Sequence, residues 1–297
     1  MVSSLQSMTI PYNPLKHSIY DTIQKYRFIN NKGAKSLGQH FLCDENLLDK
    51  IAKSATPINS HTTIVEVGAG PCGLTRSLLK LFPDNEIICI EKDVRFKPLH
   101  DEILRHSKYL KFVYADALSY DLNFGEIAII SNLPYNVGTL LLIGWLTQYI
   151  HNIEKMVLLF QKEVAERICA KVGTKQYGSI SILAQLLCDV ELLFDISNKA
   201  FIPSPKVTSS LVLLIPTLKH TSDLLCAFGK FVNTCFQFRR KMIGAILKKL
   251  YFALDIDKIL ALLNIDKTYR PENISPHKFW QLYVAITKRA SCPSTIL

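Results

Sequence analysis

Seven apolar runs of strand length recur along the middle of the chain: Thr63–Val67, Glu86–Ile90, Lys111–Tyr114, Glu126–Ser131, Lys155–Phe160, Val190–Phe194 and Ser209–Ile215. The first five alternate with stretches of helical periodicity, the pattern of βαβ units on a parallel sheet. The last two flank a Pro-rich loop, Phe201-Ile202-Pro203-Ser204-Pro205, and predict an antiparallel pair at the sheet edge. After Pro216 the period changes to that of helices, over Asp223–Phe238, Arg239–Tyr251, Ile256–Leu263 and Pro276–Ile286. The expected fold is α/β, a Rossmann-like sheet followed by a small all-helical domain. The boundaries read as a mobile leader over 1–33, a sheet domain over 34–218 and a helical domain over 219–297.

The chain has 297 residues and a mean hydropathy of +0.16, enough for one large core and a small second unit. Its longest apolar stretch, Val137 to Ile150, is broken by Thr139, Gly144, Thr147 and Gln148, too short and polar to span a bilayer. A soluble cytoplasmic protein without a membrane partner is expected. Eight scattered cysteines with no C-x-x-C pair predict reduced thiols and no metal centre. Charge changes the picture at the C-terminus. Of the net +10, the residues after Leu218 contribute +8, from 13 Lys/Arg against 5 Asp/Glu. A basic segment beside a nearly neutral body points to a polyanion partner, with Arg239-Arg240-Lys241 as the densest cluster; a solvated helix face is the bland alternative.

Candidate chemistry lies at the strand ends. Val65-Glu66-Val67-Gly68-Ala69-Gly70-Pro71-Cys72-Gly73 runs from a strand through G-x-G-x-x-G into a helix over Leu74–Leu81, where glycines allow the backbone to approach a nucleotide. Glu91 ends the next strand and can accept ribose hydroxyls. These features alone fit a dinucleotide dehydrogenase almost as well. Asp116, after the third strand, can accept an adenine amino group, or can simply cap a helix. The fourth strand runs into Ser131-Asn132-Leu133-Pro134-Tyr135, so successive strands place Gly68, Glu91, Asp116 and Asn132 around one crevice. No nicotinamide site or acid/base residue for hydride transfer accompanies them.

Asn-Leu-Pro-Tyr matches the motif of amino methyltransferases, which take their methyl group from S-adenosylmethionine. Adenine's exocyclic amine is a poor nucleophile because its lone pair is delocalised. The Asn132 side-chain oxygen and a backbone carbonyl at Leu133 or Pro134, aimed at its hydrogens, would stabilise the charge that grows during transfer. Proline preorganises those acceptors. A flipped-out base is received by aromatic faces; Tyr135 is one candidate platform and Phe201 the other.

With these residues in place, the sequence resembles the small-subunit ribosomal RNA adenine dimethyltransferases of the KsgA type over about residues 34 to 286. The resemblance runs through Leu37-Gly38-Gln39-His40-Phe41-Leu42, the glycine segment, Tyr114-Ala115-Asp116-Ala117 and Ser131-Asn132-Leu133-Pro134-Tyr135-Asn136. It continues through Gln161-Lys162-Glu163-Val164-Ala165-Glu166-Arg167, Tyr177-Gly178-Ser179, Phe201-Ile202-Pro203-Ser204-Pro205-Lys206-Val207, Arg239-Arg240-Lys241 and Arg270-Pro271-Glu272-Asn273-Ile274-Ser275. It implies a class I methyltransferase sheet, with His40, Leu42, Gly68, Gly70, Glu91, Asp116 and Asn132 at S-adenosylmethionine and Tyr135 and Phe201 bracketing the adenine. It also implies dimethylation of two adjacent adenosines in a hairpin near the 3′ end of 16S rRNA, during assembly of the small ribosomal subunit, by a monomer. His40 stands where many members have Asn, and Pro271 where Ala is usual. Two alternatives remain at this point: an erythromycin-resistance-type methyltransferase of large-subunit rRNA, and a non-enzymatic assembly factor that binds rRNA.

Overall fold

The computed structural model describes residues 13–29, 39–217 and 223–290. Among these, β2 (Thr63–Val67), β3 (Ile87–Glu91), β4 (Leu110–Tyr114), β5 (Ile127–Asn132), β6 (Ile153–Gln161), β7 (Cys188–Ile196) and β9 (Ser209–Pro216) build one sheet, ordered β4-β3-β2-β5-β6-β9-β7. Its first five members are parallel, and β9 runs antiparallel to both β6 and β7. The expected antiparallel pair therefore forms, with β9 inside it and β7 at the edge. Helices follow β2, β3, β5 and β6: α3 (Gly73–Leu81), α4 (Lys97–Leu104), α5 (Gly138–Gly144) and α6 (Lys162–Ile168), with α2 (Glu45–Lys53) before β2 and α7 (Ser179–Leu187) before β7. Strict alternation fails once, because β4 reaches β5 through turns and loop without a helix. A second pair was not foreseen: β1 (Phe41–Leu42) lies antiparallel to β8 (Phe201–Ile202), with Leu42 opposite Phe201.

The central strands have the apolar character that burial on both faces demands; all five residues of β3 are buried. Strand order reverses direction at β2, because β3 lies on one side of it and β5 on the other. That switch point is where an open α/β sheet leaves a ligand crevice.

Residues 13–29, assigned above to a mobile leader, are instead folded onto the body. Ser18 caps α1 (Ile19–Lys25) by accepting from the Asp21 N–H, and Ile19, Thr22 and Ile23 are buried. Arg76 of α3 donates to the His17 carbonyl at 2.8 Å and to the Thr22 hydroxyl at 2.9 Å. Segments 1–12 and 30–38 lie outside the described residues, and Leu37-Gly38 with them.

The C-terminal elements are α8 (Asp223–Gln237), α9 (Ile243–Leu250), α10 (Ile256–Leu262) and α11 (Pro276–Ala290). Arg239-Arg240-Lys241 form a turn between α8 and α9 rather than part of a helix. The reason is a contact distant in sequence: the Ile243 and Gly244 N–H groups donate to the Tyr269 and Lys267 carbonyls, which fixes the helix start at Ile243. The inferred boundary at Thr217–His220 falls mostly among residues 218–222, outside those described. Phe228, Phe231 and Phe279 join Val65, Leu146, Leu158 and Leu186 in one continuous apolar cluster. The helices therefore complete the core beneath one face of the sheet, and the Tyr177 hydroxyl adds a 3.0 Å bond to the Ile274 carbonyl. No helix among the described residues is long and apolar enough to cross a membrane.

Candidate active site

The crevice at the switch point begins where the β2–β5 ladder ends. Backbone pairing stops at Val65 opposite Ile129; beyond it the Ser131 hydroxyl bridges the gap, donating to the Val67 carbonyl at 2.6 Å and accepting from the Val67 N–H at 3.2 Å. The two strand ends part without losing contact, and buried Ser131 thereby sets where Asn132 leaves the sheet. Gly68 follows with φ +78°, a conformation that side chains disfavour. A Cβ there would point at the Pro134 ring, 3.7 Å away, so the glycine segment and the Asn-Leu-Pro-Tyr segment face each other across the opening.

Gly70 also has positive φ, +49°, and its N–H donates to Glu91 Oε2 at 2.9 Å. Glu91 Oε1 accepts from the Asp93 N–H at 2.8 Å. Burial raises the Glu91 carboxyl above its ordinary range, and these two N–H groups pull it back. Each carboxylate oxygen keeps a lone pair, which two adjacent ribose hydroxyls can use. The crevice is a partly enclosed cleft, open to solvent at its mouth. Its walls include His40, Leu42, Gly68, Gly70, Glu91 and Asn132 through Tyr135. These nine residues, chosen from sequence, come together at one site. A left-handed glycine loop against a buried, strand-end carboxylate fits the nucleoside of S-adenosylmethionine.

Tyr135 is half-buried and shares a 2.6 Å hydrogen bond with Ser209 Oγ; burial raises its phenol, which stays protonated. The His40 ring lies 5.7 Å from the Tyr135 ring. His40 Nδ1 is 2.7 Å from the Pro203 carbonyl, which can only accept, so that nitrogen bears the hydrogen. His40 thus ties the segment before β1 to the Pro-rich loop.

Three expectations end elsewhere. Phe201 does not face the opening: paired with Leu42 in the small sheet, it is 2% exposed and packed in the core. In this conformation it supports the wall from behind, and the ring beside Tyr135 is His40. The Asp116 carboxylate stands outside the crevice walls, accepting from Lys92 Nζ at 2.7 Å and from the Leu118 N–H at 3.0 Å. Its contacts hold it low on the pH scale, the Lys92 bond foremost. Arg239 donates to Glu272 Oε2 at 3.1 Å and to the Thr174 carbonyl at 3.2 Å, whereas Arg240 and Lys241 are exposed.

Two polar side chains in the walls were not among the candidate site residues. Gln39 donates to Asp93 Oδ2 at 3.1 Å and accepts from Arg95. Glu66 is fully buried, accepts from the Thr75 hydroxyl at 2.6 Å, and is pushed up to about 7 by desolvation. Its signal was present, a carboxylate in an otherwise apolar strand two residues before the first glycine.

Residues 30–288 match the family model for ribosomal RNA adenine dimethylase. The chain belongs to the ribosomal RNA adenine dimethylase family. It is an S-adenosylmethionine-dependent enzyme that dimethylates adenine in rRNA, and neither alternative reading is favoured. Among relatives of this family, Ribosomal RNA small subunit methyltransferase A of Xanthobacter autotrophicus is 41% identical over 255 residues, covering 84% of this chain and 87% of the relative. The protein of the same name from Phenylobacterium zucineum is 40% identical over 266 residues, covering 88% and 90%. Among solved structures, a dimethyladenosine transferase from Plasmodium falciparum superposes with a TM-score of 0.70 at 25% identity, over 84% of this chain and 98% of the other. The 23S rRNA methyltransferase ErmE shares the fold, with a TM-score of 0.62 at 22% identity, over 83% and 99%.

Proposed function

We propose that this dimethylase acts on two adjacent adenosines in a hairpin near the 3′ end of small-subunit rRNA, within an immature small subunit, as a cytoplasmic monomer. The relatives carry the small-subunit name, and the basic C-terminal segment suits a phosphate-rich particle. The observation that carries the chemical reading is the position of Asn132 through Tyr135, opposite Gly68 at the split between β2 and β5.

Gly68, Gly70 and Glu91 hold the cofactor's nucleoside, with Leu42 and His40 along the same wall. S-adenosylmethionine supplies a methyl group already activated on a sulfonium. Asn132 Oδ1 accepts one hydrogen of the adenine amine. The Pro134 carbonyl already accepts from Val137 and Gly138 at 3.2 and 3.0 Å, so the Leu133 carbonyl is the acceptor for the other. These preorganised dipoles stabilise the positive charge that develops on nitrogen, whose proton then leaves to solvent. Tyr135 and His40 offer the faces against which the base rests, and Arg240 and Lys241 reach toward phosphates. After one methyl is added the amine still carries a hydrogen for one acceptor, and the second transfer uses the same geometry.

Incubating the full chain with S-adenosylmethionine and immature small subunits, followed by mass mapping of methylated adenosines, tests this reading. Dimethylation at two neighbouring positions in one small-subunit hairpin is expected. Modification confined to large-subunit rRNA, or none in the particle, would overturn the substrate assignment.

A further inference from the structure

Behind the glycine loop lies a histidine that no step of the reaction uses. His100 of α4 is 0% exposed. Its ring is stacked between Phe112, at 3.9 Å and 10° between planes, and Phe96, at 5.9 Å and 16°. Nε2 lies 2.8 Å from the Gly70 carbonyl and Nδ1 lies 2.8 Å from the Tyr114 hydroxyl. The carbonyl can only accept, so Nε2 bears the hydrogen and Nδ1 accepts from the tyrosine. Burial pushes the imidazole down to about 4, so this single neutral tautomer persists through the physiological range. Gly70 is consequently held at both ends of its strained backbone: its N–H by Glu91, its carbonyl by His100. Tyr114 closes β4, so the same ring links the glycine loop to the strand that leads to Asp116.

The aromatic packing continues outward to the N-terminal segment. Phe28 lies 4.5 Å from Phe96 and Tyr26 is stacked 5.5 Å from Phe28. Phe96 also meets Phe41 edge-on at 5.9 Å, and Phe41 is a wall of the crevice whose ring a Gly70 Cβ would approach to 3.5 Å. Tyr26 and Phe28 lie before residue 30, where the family match begins.

We infer that His100 is a positioning residue for S-adenosylmethionine binding, fixing the Gly70 peptide from behind, and that the N-terminal segment holds His100 in place through Phe28 and Phe96. The inference rests on the assignment of Gly68, Gly70 and Glu91 to the cofactor. A hydrogen bond to a loop carbonyl removes alternative orientations of that peptide, and with them part of the ordering that binding would otherwise require. The chain end beyond the family match is thereby coupled to the cofactor wall.

The test uses the full chain, titrated calorimetrically with S-adenosylhomocysteine in the absence of RNA. His100→Leu keeps an apolar filling but removes the N–H donor to the Gly70 carbonyl, leaving it the weak Cys72 thiol contact, and is expected to weaken binding roughly tenfold, the scale of one lost buried hydrogen bond. Amide exchange across residues 68–72 of the ligand-free protein should quicken in the same variant, while affinity for an rRNA hairpin stays at the wild-type value. His100→Gln, which can still present an N–H to Gly70, should recover most of the loss. Phe28→Ala should weaken binding by about two- to threefold alone and by less than that in the His100→Leu background, as expected of residues acting through one path. Wild-type affinity and exchange in His100→Leu, or an equal loss in His100→Gln, would overturn the inference. Should His100→Leu fail to fold, Phe28→Ala decides it, and unchanged affinity there is the contrary result. Failure of the underlying cofactor assignment has a different signature: Glu91→Ala would then bind S-adenosylhomocysteine as well as wild type.

Discussion

At the proposed cofactor wall the backbone is pinned by buried side chains: Gly70 donates to Glu91, Glu91 accepts again from Asp93, and Ser131 stitches Val67 across the strand gap. Where we propose that RNA arrives, the construction is looser. Tyr135 and His40 lean on single hydrogen bonds to Ser209 and Pro203, and Arg240 and Lys241 stand in solvent. A small ligand whose shape never varies suits a rigid wall, because preorganisation lowers the ordering that binding requires. A structured RNA bound largely through its phosphates tolerates side chains that adjust on contact. Changes in the wall should therefore act sharply on one step, and changes at the rim should act gradually on affinity.

The largest effect is expected where the two regions meet. Asn132→Ala should reduce methyl transfer by roughly 10²–10³-fold, the usual loss for one preorganised dipole aimed at developing charge, while RNA affinity stays near wild type and S-adenosylhomocysteine affinity falls far less than the rate. Single-turnover kinetics beside two binding isotherms check it; a loss shared equally by rate and affinity would erase the contrast. Next comes Glu91→Ala, expected to weaken cofactor binding by about 1–3 kcal/mol through the unpaired Gly70 and Asp93 amides. Asp116→Ala should cost less by the same calorimetry, because that carboxylate is exposed and paired with Lys92. The reverse ranking would show that Asp116 leaves Lys92 and turns to the adenine when the cofactor binds.

The same contrast explains what the sequence made legible. Gly68, Gly70, Glu91 and Asn132 were readable because backbone geometry at strand ends leaves few residue types acceptable, and the order of strands then brings them together. Phe201 was expected at the opening because its motif gives a position in the chain but not the direction of a ring; in this conformation the ring is 2% exposed and packed in the core. The helix assigned across Arg239 failed for a related reason, since Ile243 is set as a helix start by the distant Tyr269 carbonyl. The leader was misjudged because Phe28 finds its partners on Phe96, 68 positions away in sequence. Periodicity reports local structure, and these three errors are all non-local contacts.

In and behind the buried wall, Glu66 and His100 titrate in opposite senses. Glu66 is raised from an ordinary 4.5 to about 7, so between those values the folded chain keeps a proton that the unfolded chain has lost, and stability falls as pH rises. His100 is lowered from 6.5 to about 4, so between pH 4 and 6.5 the unfolded chain binds a proton that the folded chain refuses, and stability rises with pH. From about pH 4.5 to 6.5 the two slopes oppose each other. Glu66→Gln removes the falling one, and the variant should gain stability with pH more steeply than wild type, by at most one proton, about 1.4 kcal/mol per pH unit. Urea midpoints at pH 5 and pH 6 check this. Parallel slopes for variant and wild type would mean that Glu66 is ionised in the folded chain throughout.

The smallest expected effect concerns the basic turn, and it separates residues that the sequence grouped together. Arg239 is committed to Glu272 and the Thr174 carbonyl, joining the turn after α8 to segments on either side. Arg240 and Lys241 are exposed on that turn, the Lys241 ammonium 5.6 Å over the Phe238 ring, where both can meet phosphates. Replacing Arg240 and Lys241 with Gln should flatten the slope of log affinity against log salt by roughly 1.4–1.8 units, at ~0.7–0.9 per phosphate contact. Arg239→Gln should leave that slope unchanged and lower the melting temperature instead. Cutting the chain near Thr217, which looks like the simpler test, would strip Phe228, Phe231 and Phe279 from the core shared with the sheet and unfold the cofactor wall together with the RNA grip. Point substitutions on the exposed turn avoid that coupling. A slope equally shallow for Arg239→Gln would mean that its ion pair with Glu272 opens on RNA, and that the rim extends one residue further into the fold than the free protein shows.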